Sequence, residues 1–494
     1  MTSSPVTLTD RVRALVLDAA AACAGTSTSA RLLAQAARLD EPLRVALVGA
    51  TKAGKSTLVN ALVGERVAAT DAAECTRVVT TYEHGRAAQA WAHPLVGSAF
   101  QVPFRHEEGR TTLDLGGADA TGLRSIAVTV PSAALQVVTL VDTPGVGSLS
   151  AGTSQRTLDY VAGTDTDRPD AVVVLLRHLD DADVGFLDPF HDAAATPASA
   201  VNAVGVLSRA DELAPGRTDS SSVAEAVAAR HRDHPALRAR VSGVLPVSGL
   251  LAETGATVRE DEFAAVARLA ALDVDDADRL LRSVDDLLVP RPVGDPDVDP
   301  VAVRSALLDR FGLGGLRLCV VLVGSGVCPD AAALAAELVR RSGIDALRSV
   351  VVDQFAGRAE VLRAATALDL VAGALDGLAP GDVERVRLRA EQITVSAHEF
   401  AELRLLEAIR TGTLGAADDG TLACADTVLG GRGTEVRSRL GLAPDAGDEE
   451  VDAALWEQLQ RWRRVAEHPF VRPDVRRAAQ VLRRTCEGLA AARR

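Results

Sequence analysis

The residues best suited to chemistry sit early in the chain. Gly49-Ala50-Thr51-Lys52-Ala53-Gly54-Lys55-Ser56 fits G-x-x-x-x-G-K-[ST]. In this spacing glycines let the backbone curl and aim its N–H groups at a phosphate, while the helix that follows adds the partial positive charge of its N-terminus. Read this way, Gly49 to Thr57 cradles the phosphates of a nucleotide, Lys55 reaches the β- and γ-phosphates and Ser56 binds Mg²⁺. Lys52 and Lys55 are the two lysines among 53 basic residues. In a chain that otherwise uses arginine, a kept lysine suggests that a compact ammonium is required.

Further along, Leu140-Val141-Asp142-Thr143-Pro144-Gly145 gives D-x-x-G. Its Asp142 would hold Mg²⁺ through water and its Gly145 N–H would sense the γ-phosphate, although D-T-P-G is also ordinary turn chemistry. Ser208-Arg209-Ala210-Asp211 stands where a guanine site carries [NT]-K-x-D. Asp211 can accept from the guanine N1–H and N2 amine, a pattern adenine does not offer, and Arg209 can lay its guanidinium plane along the base. Ser208 departs from the pattern because it lacks an amide. Ser248-Gly249 is a weaker match to the last base-contacting loop. A switch threonine should close over Mg²⁺ and the γ-phosphate from the polar segment Thr70 to Arg77, with Thr76 the first choice and Thr70 its rival. The expected site is therefore Lys52, Lys55 and Thr76 for catalysis, and Ser56, Thr76 and Asp142 for the metal. GTP or GDP would lie against 49–57, Gly145, Ser208, Arg209, Asp211, Ser248 and Gly249.

These motifs need strands that end in loops. Leu43 to Val48 is a short β-rich run ending in glycine and leading into a helical pattern from Ser56 to Leu62. β-type runs follow at 77–82, 125–130, 137–141, 171–176, 203–207 and 244–247. From Val137 on they alternate with helical segments, which predicts an α/β head with a mostly parallel sheet and helices on both faces. Two helices, or one bent one, are expected before Pro42. After Leu250 the pattern is helical, interrupted by the Pro- and Asp-rich segment Pro290 to Pro300, and four to seven helices are expected from Val301 onward. The division this implies is 1–40 N-terminal neck helices, 41–255 nucleotide-binding head, 256–300 helical connector and linker, and 301–494 helical neck and stalk.

Composition narrows the function. The 494 residues carry 67 acidic and 53 basic side chains, a formal charge of −14, which disfavours nucleic acid as a partner. The six cysteines are scattered without metal-ligand spacing. No export signal or membrane-spanning apolar stretch is visible, so a cytoplasmic chain with peripheral membrane contact is expected.

Taken together, G-A-T-K-A-G-K-S-T-L-V-N-A-L-V-G, C-T-R-V-V-T-T-Y-E-H-G, V-D-T-P-G and the helical half resemble the bacterial dynamin-like GTPases, and within them the isoniazid-inducible proteins of actinobacteria. That resemblance implies a Mg²⁺-dependent GTPase head on a helical stalk. It also implies association through the heads, as a homodimer or with a sister protein, and membrane binding or remodelling at the inner face of the cytoplasmic membrane. In the dynamin pattern the residues just before the P-loop lysine assist hydrolysis, which here are Thr51, Lys52 and Ala53, with Lys52 in place of the usual polar residue. For the lipid contact, the apolar turn Leu370 to Pro380, with Leu370, Val371, Leu375 and Leu378, is the candidate stalk tip. Its rivals are Thr411 to Gly433 as the tip, and plain bundle core for the same leucines. Two other functions stay open: a GTP-binding scaffold for a sister protein with little hydrolysis, and a soluble GTPase switch.

Overall fold

The computed structural model describes residues 6–68, 78–107, 110–113, 122–145, 160, 168–177, 201–217, 219–232, 234, 237, 240–289, 301–375, 379–414 and 418–493. Apart from Arg44, the run from Leu43 to Gly49 is apolar on both faces, as a strand covered on both sides must be. It forms β1 (Leu43–Gly49) within a nine-stranded sheet, with Leu43, Val45, Ala46 and Leu47 fully buried. The other strands are β2 (Val79–His84), β3 (Gln89–Pro94), β4 (Phe100–Val102), β5 (Phe104–Glu107), β6 (Arg110–Leu113), β7 (Leu123–Val130), β8 (Val138–Asp142), β9 (Ala171–Leu176), β10 (Ala203–Ser208) and β11 (Val244–Val247).

The sheet order is β11-β10-β9-β1-β8-β2-β7-β3-β4, with β5 and β6 as a separate hairpin. β11, β10, β9, β1 and β8 run parallel. β2 is antiparallel to β8 but parallel to β7, and β3 pairs antiparallel with both β7 and β4. The mostly parallel sheet expected from the sequence is therefore present, with an antiparallel extension at β3 and β4 that the sequence did not announce. Because β1 lies between β8 and β9, the loops after all three strands gather at one edge of the sheet, where nucleotide sites form in open α/β sheets.

The helices are α1 (Leu8–Ala22), α2 (Ser27–Arg38), α3 (Lys55–Val63), α4 (Ser220–Arg232), α5 (Gly249–Thr257), α6 (Glu260–Ala270), α7 (Val274–Leu280), α8 (Val284–Leu288), α9 (Val301–Gly324), α10 (Ala331–Ser342), α11 (Ile344–Ser349), α12 (Ala359–Ala374), α13 (Pro380–Ser396), α14 (His398–Arg410), α15 (Asp419–Val428), α16 (Val436–Arg439), α17 (Asp448–Glu467) and α18 (Pro473–Ala491). A π turn, Val350–Phe355, and a 3₁₀ turn, Ala356–Arg358, separate α11 from α12. The described part of the chain from Val301 onward thus breaks into more helices than its spacing predicts. The linker expected at 290–300 lies outside the described residues. One core, from Leu251 through Phe311 to Leu338, joins helices on both sides of that segment.

The N-terminal helices are held far along the chain. Thr7 and Asp10 form a capping box at the start of α1. Both the N–H and the hydroxyl of Thr9 donate to Glu360 at 3.1 Å, and Asp18 pairs with Arg389. At the base of the head, buried Arg38 and Asp170 pair at 3.4 Å.

The expected lipid tip is corrected by this packing. Leu370 and Val371 are 7% and 1% exposed on α12, which lies against α1 and α2, and Leu375 packs half-buried on the same core. Asp369 pairs with Arg168 of the head at 3.4 Å, so this end of α12 is docked rather than projecting. Leu378 lies outside the described residues.

Candidate functional site

The phosphate loop connects β1 to α3 through two residues with positive φ and an αL glycine. Gly49 has φ +155°, and a Cβ there would sit 2.7 Å from the Leu175 carbonyl oxygen, so only glycine fits against β9. Lys52 adopts φ 63°, and Gly54, at φ 94°, caps the N-terminus of α3. Thr51 and Lys52 are exposed, Ala53 is buried, and Ala50, Gly54, Ser56 and Thr57 are half-buried. Lys55 is buried, its Nζ donating to the carbonyls of Gly49 at 3.2 Å and Ala50 at 3.1 Å. Burial lowers its pKa, opposed by the nearby Asp142 carboxylate. Its ammonium therefore sits in the throat of the loop, where a phosphate would be expected.

Ser56 Oγ donates to Asp142 Oδ2 at 2.5 Å across the mouth of the loop. Asp142 is buried at the end of β8, and its Oδ1 finds no hydrogen-bond partner among the described residues. Burial raises its pKa, with Lys55 and the Ser56 hydroxyl acting the other way. An orphaned carboxylate oxygen beside a hydroxyl is a hard-oxygen donor set suited to a small divalent cation. Thr143 turns its hydroxyl to the Leu47 carbonyl at 2.8 Å. Gly145 approaches the phosphate loop so closely that a Cβ would stand 2.6 Å from the Thr51 Cα. The two loops are thereby in backbone contact. Thr76 and its rival Thr70 lie outside the described residues.

The side expected to hold the base lies at the ends of β10 and β11. A cavity of about 200 Å³ is lined by Gly54, Thr57, Ser208, Arg209, Asp211 and Gly249, among others. Asp211 is half-buried; burial raises its pKa, opposed by a hydrogen bond from Ser248. Ser248 caps the N-terminus of α5, and Gly249 opens that helix. Ser208, on the cavity wall, donates its hydroxyl back to the Leu176 carbonyl at 3.2 Å.

Arg209, expected to lie along a base, bonds to two groups of the protein in the structure. Its Nη2 donates to the Lys52 carbonyl at 2.9 Å and its Nη1 to Glu212 at 2.8 Å. Arg209 holds φ 54°, so two non-glycine residues in the left-handed region, Lys52 and Arg209, meet across this bond. Sequence spacing gave no sign of this link or of the Ser248 bond to Asp211, since both depend on the positions of separate strands. A larger cavity, about 460 Å³, lies over β2, β3 and β7 beside Arg44, Glu83 and Arg124, away from the phosphate loop.

Comparison with known proteins gives the family. The sequence model described as the dynamin family matches residues 45–182, which include the phosphate loop and Asp142. Isoniazid-induced protein IniC of Mycobacterium tuberculosis, from two strains, is 37% identical over 461 residues, spanning 92% of this chain and 91% of that protein. Two chains of an oligomerised bacterial dynamin pair, described as providing a mechanism for long-range sensing and tethering of membranes, align with it at 12% and 13% identity. They cover 98% and 100% of this chain and 75% and 80% of theirs, with TM-scores of 0.30 and 0.31. On the identity shared with IniC across nearly the whole of both chains, and on a phosphate loop and D-x-x-G brought into contact at one sheet edge, the chain belongs to the dynamin family of GTPases.

Proposed function

We propose that this protein binds GTP between the phosphate loop and the Ser208–Asp211 turn, hydrolyses it to GDP and phosphate, and couples the cycle to assembly at a membrane surface. The observation that carries the base assignment is Asp211, a half-buried carboxylate on the cavity wall, steadied by Ser248. Two charge-assisted bonds to the guanine edge, at about 1.5–3 kcal/mol each, would discriminate against adenine by roughly a hundredfold or more. Arg209 stacks along the base while tethering the phosphate loop through the Lys52 carbonyl.

At the phosphates, Lys55 exchanges its carbonyl contacts for phosphate oxygens, and the N–H groups from Ala50 to Thr57 complete the cradle. Mg²⁺, when bound, neutralises charge developing on the phosphates; Ser56 and Asp142 would hold it, with Thr76 completing the set. Gly145 N–H reports the γ-phosphate, and its contact with Thr51 passes that state to the loop. Lys52, exposed beside these groups, supplies positive charge as the γ-phosphoryl leaves.

Assembly through the heads, with a second copy or a sister protein, and peripheral contact with the cytoplasmic membrane complete the proposal. A nucleotide head at 41–255 acts on the helices around it. One observation favours a second reading, a GTP-holding scaffold: Val146 follows Gly145, where a water-orienting Gln or His would stand.

Equilibrium binding of GTP and ATP tests the assignment. Wild-type protein should prefer GTP by roughly a hundredfold, and Asp211→Asn should shift preference toward xanthosine triphosphate. Equal binding of ATP sinks the guanine assignment, and absent multiple turnover with intact GTP binding selects the scaffold.

A further inference from the structure

We propose that the turn between α17 and α18 is a contact for anionic phospholipid headgroups, with Phe470 entering the acyl boundary; this rests on the membrane role proposed above and assigns its place and lipid chemistry. From Arg461 to Arg484 the chain carries eight arginines against two carboxylates, Glu467 and Asp474, in a protein whose formal charge is −14. Charges further away than a Debye length, about 8 Å at physiological salt, are largely screened. A bilayer meeting this turn therefore meets a cationic surface, whatever the net charge of the molecule.

The turn is built to hold an apolar side chain outward. α17 and α18 pair through Leu455, Trp462 and Ala466 on one helix and Ala478, Leu482 and Cys486 on the other, all buried. The pair rests on α14 and α15, fixed by His398 against Thr485 at 3.0 Å and by Cys424 donating to Gln458 at 3.1 Å. At its end, Arg476 donates to the carbonyls of His468, Pro469 and Val471, each at 3.3 Å, and Pro473 opens α18. Phe470 is nonetheless 90% exposed, touched edge-on by the His468 ring at 6.1 Å between centroids.

Around it, Arg463 and Arg472 are about three-fifths exposed and paired at 3.0 Å with Glu467 and Asp474, while Arg464 and Arg477 are exposed as well and leave the surface net positive. An apolar residue and a ring of cations are the two signals that together hold a peripheral protein on an anionic membrane, neither being enough alone. A single protruding aromatic favours this over nucleic acid, whose binding surfaces track the strand with successive stacking aromatics along a groove.

The test is sedimentation of the full chain with phosphatidylcholine vesicles and with equimolar phosphatidylcholine and phosphatidylglycerol vesicles, read beside GTP turnover without vesicles. Wild-type protein should pellet with the anionic vesicles and not with phosphatidylcholine alone. Combined Arg463→Gln, Arg464→Gln and Arg477→Gln should weaken binding roughly a hundredfold, and Phe470→Ser roughly tenfold, with turnover unchanged in both. Phe470→Trp should add a component to the emission that shifts blue on anionic vesicles. If wild type binds but both sets of variants bind equally well, this surface is overturned and the membrane role stands. If wild type binds neither vesicle, the membrane role itself falls. Binding to a DNA duplex with no emission shift on vesicles would assign the turn to nucleic acid and overturn the proposal.

Discussion

Asp142 and Lys55 are charged groups that burial drives toward neutrality from opposite sides. For Asp142 the folded pKa lies above the unfolded one. Between those two values the folded state holds a proton that the unfolded state lacks, so stability falls as pH rises through that window and the ionised carboxylate costs stability at neutral pH. Asp142→Asn should keep a contact to Ser56 and raise the stability of the nucleotide-free protein by about 1 kcal/mol at neutral pH, an advantage that shrinks toward acid pH. Mg²⁺-dependent GTP affinity should fall in the same variant. Denaturant titration at both pH values checks this, and a variant less stable than wild type at neutral pH would show the carboxylate to be well accommodated. Lys52 presents a different problem, because its φ of 63° is strained for any residue with a Cβ. Lys52→Gly preserves that backbone while deleting the ammonium. Single-turnover measurements should show hydrolysis slowed roughly a hundredfold with GTP affinity nearly unchanged and stability equal to or above wild type. Unaltered hydrolysis would make Lys52 a solvated loop residue. That a lysine was kept here was legible in the sequence; its left-handed backbone and its carbonyl bond to Arg209 were not, since both arise where two distant loops meet.

Elements differed in how plainly the sequence announced them. β1 and α3 could be read because an apolar run, a glycine loop and a helical pattern follow one another within twenty residues, and β8 to β11 because buried parallel strands are apolar throughout. β3 and β4 alternate or are too short, with exposed Trp91 and Phe100, and carried no such signal. The apolar stretch on α12 was visible, but its partner α1 lies some 350 residues away along the chain, as the Thr9 to Glu360 bonds show. A run of leucines has the same spacing whether it faces lipid or another helix. One element boundary makes a sharp prediction. Gly343 joins α10 to α11 at φ +75°, and a Cβ there would press well inside contact distance of the Pro246 carbonyl in β11. Gly343→Ala should destabilise the protein by about 2–4 kcal/mol, seen as a lowered denaturant midpoint. Gly447, whose Cβ position is open and whose φ is −69°, is the control and should tolerate alanine within about 0.5 kcal/mol. Equal effects at the two sites would mean that the α10–α11 joint yields without strain.

At the scale of the whole molecule, the cavity proposed for the nucleotide is joined to the helices by hydrogen bonds. Ser248 N–H, at the wall that holds Asp211, donates to the Ser342 carbonyl at 2.8 Å at the end of α10, and Arg348 on α11 donates to the Ala61 carbonyl at the end of α3 at 2.7 Å. From there the chain passes through the π turn into α12, which packs on α1. A change at the base loop therefore has a continuous packed route to the helices. Whether that route serves assembly can be read from charge. Two copies, each at −14, repel within a Debye length that lengthens as salt falls, so association of the heads should be opposed at low salt and eased as salt rises toward physiological strength. Lys55 is buried, so the phosphate contacts proposed for it would be screened far less. With GTP in excess, turnover per molecule should therefore rise with protein concentration, and the concentration at half-maximal turnover should fall as ionic strength is raised from about 20 mM to about 150 mM. Sedimentation velocity with a non-hydrolysable GTP analogue should show the associated species in the same range. Turnover per molecule that stays constant with concentration at both ionic strengths would instead describe a GTPase whose single head is complete without a partner.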